Sequence, residues 1–82
     1  MSELSSLVAK LHAFRAEQFG VDELQRVLWS AASSLRSAGE RELGGRLQVA
    51  EGQVERLRFT VDRARVRDEA LKVVAALLLT LS

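Results

Sequence analysis

Apolar residues recur along this chain at steps of three and four, the spacing that gathers side chains on one face of an α-helix. Leu4, Leu7, Val8, Leu11 and Phe14 form a first stripe, and Leu24, Val27, Leu28, Ala31, Leu35 and Ala38 a second. Leu43, Leu47, Ala50, Val54, Leu57 and Val61 alternate steps of four and three without interruption. That is a heptad seam, the pattern of a helix lying at a shallow angle along a neighbour. The fourth stretch, Ala70 to Leu81, is apolar at ten of twelve positions, with Lys72 its only charge. A helix apolar nearly all round must be covered on several sides. Val66, Ala70, Val73, Leu77 and Leu81 mark its main face, and Leu71, Val74 and Leu78 a second one. No segment alternates apolar and polar residues long enough for a strand, and proline is absent.

Punctuation residues separate the stripes. Ser2 suits the cap of helix 1, and Gly20 suits the left-handed position that closes it. Asp22 and Gln25 have capping-box spacing for helix 2, and Gly39 closes it. Glu40 and Glu42 bring acid to the start of helix 3. Thr60 or Asp62 can cap helix 4, the alternative being one long bent helix from 40 to 81. The expected fold is all-α: a small antiparallel four-helix bundle forming one domain over residues 1–82. Its helices should lie at roughly 3–17, 22–38, 40–59 and 62–81, the last being the most buried.

Gly45, Val49, Gly52 and Phe59 fall on the side of helix 3 opposite its seam. Glycine inside a helix costs about 1 kcal/mol relative to alanine, and close approach of another backbone would justify it. Eighty-two residues barely supply one core, and these extra faces exceed what a short bundle covers. Completion by homodimerisation is therefore expected, with Leu71, Val74, Leu78, Gly45, Val49 and Gly52 at the interface.

Composition narrows the chemistry. There is no cysteine and one histidine, so disulfides, thiolate sites and an ordinary zinc site are excluded. The net charge of +1 gives no global field toward nucleic acid or an anionic membrane. Arginine greatly outnumbers lysine, which fits a GC-rich, bacterial genome. The start Met1-Ser2-Glu3-Leu4 is acidic where a signal peptide is basic, and the apolar run is shorter than the ~20 residues that span a bilayer. A cytoplasmic protein without membrane contact is expected. The many serines have no paired base in His12, and Glu51 with Glu55 lacks a di-metal motif. Gly44-Gly45 lacks the strand and lysine of a phosphate loop. Neither enzymatic activity, a cofactor nor a metal is expected.

The remaining candidates are surface residues. Arg15 projects near the centre of the first stripe and His12 on its shoulder, so Arg15 should point inward and snorkel or pair with a carboxylate. Trp29 lies roughly 140° from Leu24, beside Gln25, Ser33 and Arg36. It is either covered by a neighbouring helix or an aromatic anchor for a partner. Arg56, Arg58, Arg63, Arg65 and Arg67 form a basic run that could meet phosphates. Glu55, Asp62, Asp68 and Glu69 interleave with it, which favours a solvated face laced with ion pairs. The segment Ala16 to Asp22 reads like the turn of a helix-turn-helix, but Arg26 stands where that motif wants a buried aliphatic residue and Leu24 would be exposed.

Phe14, Val21, Leu24 and the Trp29 region, about a quarter of the chain, resemble the first helical hairpin of small bacterial immunity proteins of the colicin D immunity type. The resemblance implies a helical bundle that neutralises a toxin nuclease through surface charge. This chain lacks the strongly acidic balance such a blocker uses. The reading preferred from the residues is a small non-catalytic protein-interaction or assembly module, with Trp29, Arg36, Arg56 and Arg58 as partner-binding candidates. A nucleic-acid-associated protein and a toxin-neutralising protein are the alternatives.

Overall fold

The computed structural model describes residues 3–60 and 62–81, with the side chains of Glu3 and Arg63 left aside. The described residues form four helices, α1 (Glu3–Arg15), α2 (Val21–Ser37), α3 (Arg41–Thr60) and α4 (Arg63–Leu81), and no strand. The cap expected at Ser2 and the end of the heptad seam at Val61 lie outside the described residues. Helices α3 and α4 are separate and pack side by side.

Two of the helix ends are closed by the same hydrogen-bond pattern. At the end of α2, Glu40 N–H donates to the Leu35 carbonyl (2.8 Å) and Gly39 N–H to that of Arg36 (3.2 Å), with Gly39 at φ +92°. At the end of α1, Gln18 N–H donates to Ala13 (3.1 Å) and Glu17 N–H to Phe14 (3.0 Å). Both are Schellman closures, which need one left-handed residue. In α1 that residue is Glu17, at φ 62°, and not Gly20 as expected. Phe19 has to return beside Phe14, where their rings meet at 5.7 Å between centroids, so the chain reverses immediately after α1. Gly20 is left extended (φ −91°, ψ 179°) as the N-cap of α2, its carbonyl accepting from Leu24 N–H at 3.0 Å. Asp22, read as a cap, sits instead in the first turn of α2, where its charge suits the positive end of the dipole.

The stripes converge on one core. Leu7, Leu11 and Phe14 of α1 meet Leu24, Leu28, Ala32 and Leu35 of α2, Leu47, Ala50 and Val54 of α3, and Ala70, Val74 and Leu77 of α4. Each large apolar side chain removed from water in this way contributes about 1.5–3 kcal/mol before the entropy of ordering it. The most extensive helix–helix contact is between α2 and α3, and Gly44 explains how close it is. A Cβ at Gly44 would come within 2.4 Å of Arg36 Cγ and 3.2 Å of the Ala32 carbonyl.

Two expectations are corrected here. Arg15 ends α1 and is exposed, because the helix stops before its side chain can be carried over the core. In α4 the buried residues are Val66, Ala70, Val74 and Leu77, with Leu71, Val73, Leu78 and Leu81 partly buried, and Leu79 is 79% exposed. Val74, assigned to a second, dimer-forming face, is fully buried in the chain's own core, and Leu71 and Leu78 pack partly buried against that core. A helix with apolar residues all round has no unique phase on a helical wheel, so its inward direction is set only by its neighbours.

Candidate protein-interaction surfaces

Apart from Leu79 of α4, the large exposed apolar side chains among the described residues lie on two surfaces. The first surrounds Trp29, which is 63% exposed on α2. It lines a shallow groove with Asp22, Gln25, Arg26, Ser30, Glu51 and Arg58. Gln25 is the hinge of that groove: its amide nitrogen donates to Glu51 Oε1 (3.1 Å), and its amide oxygen accepts from Arg58 Nη1. The floor beside the indole is thus held by cross-helix hydrogen bonds, while the ring itself faces water. A large, stiff aromatic over a satisfied polar floor is the form that binding anchors take.

Of the other residues assigned to partner binding, Arg58 joins Trp29 in this groove and Arg36 does not. The Arg36 stem lies over Gly44 and its Nη1 donates to Gln48 Oε1 (2.8 Å). It borders a separate polar pocket with Ser33, Ser37, Arg41, Gly45 and Gln48. Arg56 lies on the outward side of α3, seven residues and so about two turns from Val49.

The second surface is that outward side. Glu42, Gly45, Val49, Gly52, Arg56 and Phe59 step by three and four, a second heptad running opposite the buried seam. Val49 is 63% and Phe59 80% exposed. Unlike Gly44, neither Gly45 nor Gly52 has any atom within 4 Å of where a Cβ would stand. Along its flank, a groove between α3 and α4 is lined by Val49, Ala50, Gln53, Val73, Ala76 and Leu77, with Glu42 and Arg46 at its rim. Glu42 and Arg46 form an exposed pair at 3.2 Å. Of the residues expected at a dimer interface, Gly45, Val49 and Gly52 share this side of α3. Phe59, already placed on this side of α3 by the spacing, is exposed there, and Glu42, Val73 and Ala76, which were not among the expected residues, border the same surface; for Glu42 the second three-four spacing was the signal.

The basic run divides by role. Arg67 of α4 reaches back to the α1–α2 connection, where its guanidinium donates to the carbonyls of Phe14 and Phe19 (3.2 Å for Phe19) and stacks 4.5 Å over the Phe14 ring. It also stands 3.9 Å from Glu17, beside the left-handed turn. Arg58 is bound to Gln25. These two arginines serve the fold, which leaves Arg56 and Arg65 as exposed members of the run among the described side chains. Leu24 is fully buried and Arg26 exposed, the reverse of the phase a helix-turn-helix needs.

Among the described residues, no three His, Asp or Glu side chains gather as a metal site, and no helix is long and apolar enough to cross a membrane. Comparison with protein-family models, with curated proteins and with solved structures gives no match for this chain.

Proposed function

We propose that this chain is a non-catalytic protein-interaction or assembly module, folded as a single antiparallel four-helix bundle that works as a homodimer. The antiparallel arrangement is supported by connections of five, three and two residues, which are short enough to place successive helices side by side. The observation that carries the functional reading is the uncovered outward side of α3, with Val49 and Phe59 exposed beside an apolar groove. The chain's accessible surface is 5484 Å² for 9.1 kDa. A compact monomer of that mass exposes about 4,900 Å². The radius of gyration is 12.0 Å, against ~11.7 Å for a compact chain of this length, and the molecule measures 36 × 22 × 19 Å. Trp29 lies on a different helix and lines a different groove, available to a second kind of protein.

Sedimentation equilibrium over a wide concentration range tests this reading. A mass rising from one chain to two is the expected result. A folded, stable monomer at every concentration would overturn it. The nucleic-acid alternative loses support because Arg58 and Arg67 are engaged within the chain. Duplex or single-stranded binding that weakens steeply with salt would restore it.

A further inference from the structure

The outward side of α3 has a direction. Its acidic residue, Glu42, stands near the start of the helix, in an exposed pair with Arg46 that leaves its carboxylate open to a second cation, and its basic one, Arg56, stands near the end, with Val49 and the two open glycines between them. The Arg56 guanidinium makes no hydrogen bond or ion pair among the described residues, whereas Arg58, two positions on, is held by Gln25. A face of this kind is self-complementary in only one sense. If two copies met with their α3 helices parallel, Glu42 would lie against Glu42 and Arg56 against Arg56. If they met antiparallel, each Glu42 would meet an Arg56, and two-fold symmetry would make the contact twice.

We propose that two copies of this chain pair through the outward side of α3, antiparallel, with Val49 of each copy seated over Gly52 of the other. Arg56 of each copy then crosses Gly45 of the other on its way to Glu42. This rests on the self-association proposed above and specifies its surface, direction and register. The steps of three and four give the layers of such a pairing, since in antiparallel helices the two kinds of heptad position face one another. Each open glycine lies opposite a residue with a side chain, so the space left where a Cβ would stand becomes the hole for a knob. Missing side chains at those layers also let the two backbones approach more closely than the usual ~8–10 Å.

The symmetry brings α4 into the contact. A two-fold axis perpendicular to two antiparallel helices keeps neighbours on the same side, so both α4 helices lie on one side of the α3 pair. The flanks of α4 that carry Val73 and Ala76 are thereby continuous with the face built on Val49, and the groove between α3 and α4 is closed by the second copy.

The absence of cysteine makes the test clean. Glu42→Cys and Phe59→Cys variants are oxidised separately and as an equal mixture, with sedimentation of the unmodified chain and helical circular dichroism run alongside. The expected result is that neither variant cross-links alone and the mixture yields a disulfide between the two. Cross-linking of each variant with itself would show parallel pairing and overturn the proposal. If the unmodified chain is a dimer and neither variant nor the mixture cross-links, the dimer uses another face and the proposal is overturned. If the unmodified chain is a monomer, the self-association reading itself fails.

Discussion

The two sides of α3 are built from similar residues and meet different surroundings. On the inward side, Gly44 lies under Arg36 and the Ala32 carbonyl, and Leu47, Ala50 and Val54 complete the contact with the rest of the core. On the outward side, Gly45 and Gly52 face open space around an exposed Val49. The inward glycine is explained by the chain's own packing. The outward ones weaken the helix and meet nothing else within the chain, and the proposed second copy would fill the space over them. Glycine in a helix is therefore informative only together with what stands over it.

Substitutions on the two sides should separate stability from association. The largest effect is expected for Leu47→Ala, which opens a cavity in the inward seam and should cost about 2–5 kcal/mol in urea unfolding. Gly44→Ala should cost less, about 1 kcal/mol, because crowding against α2 at ~1–3 kcal/mol exceeds the helix-propensity gain of about 1 kcal/mol. The same change at Gly45 or Gly52 should have the opposite sign for the isolated chain, raising stability by up to ~1 kcal/mol, while it weakens dimerisation by filling the hole. If both glycine classes respond alike in unfolding and in sedimentation, the two sides are not different in kind. The smallest pair of effects compares two arginines of α3. Arg58→Ala should lower stability by about 1 kcal/mol through the lost bond to Gln25. Arg56→Ala should leave unfolding of the isolated chain unchanged and weaken dimerisation only.

The four helices and the inward seam of α3 could be read directly from spacing, since only one of the two three-four alternations on α3 is apolar at every position. The phase of α4 could not. Val73 and Val74 are equally apolar, and only the positions of α1 and α3 turn Val74 into the core. The closure of α1 was also hidden, because a glutamate is an unfavourable left-handed residue, costing about 1–2 kcal/mol. It is tolerated where Arg67 holds the connection by the carbonyls of Phe14 and Phe19. That clasp joins residues far apart in sequence, so Arg67 reads as one more member of a charged run until the fold brings it home. Trp29 was undecidable on the same ground: its position on the wheel shows that it leaves the stripe of α2, but not whether another helix covers it.

The central claim is that association belongs to the outward side of α3 and not to the Trp29 groove. Its most direct test is sedimentation of Val49→Glu and Trp29→Glu beside the unmodified chain, at a concentration where that chain is dimeric, with helicity followed by circular dichroism. Both positions are exposed, so both variants should keep their helices. The expected outcome is a folded monomer for Val49→Glu and an unchanged dimer for Trp29→Glu. A dimer that survives Val49→Glu, or is lost only with Trp29→Glu, would contradict the account.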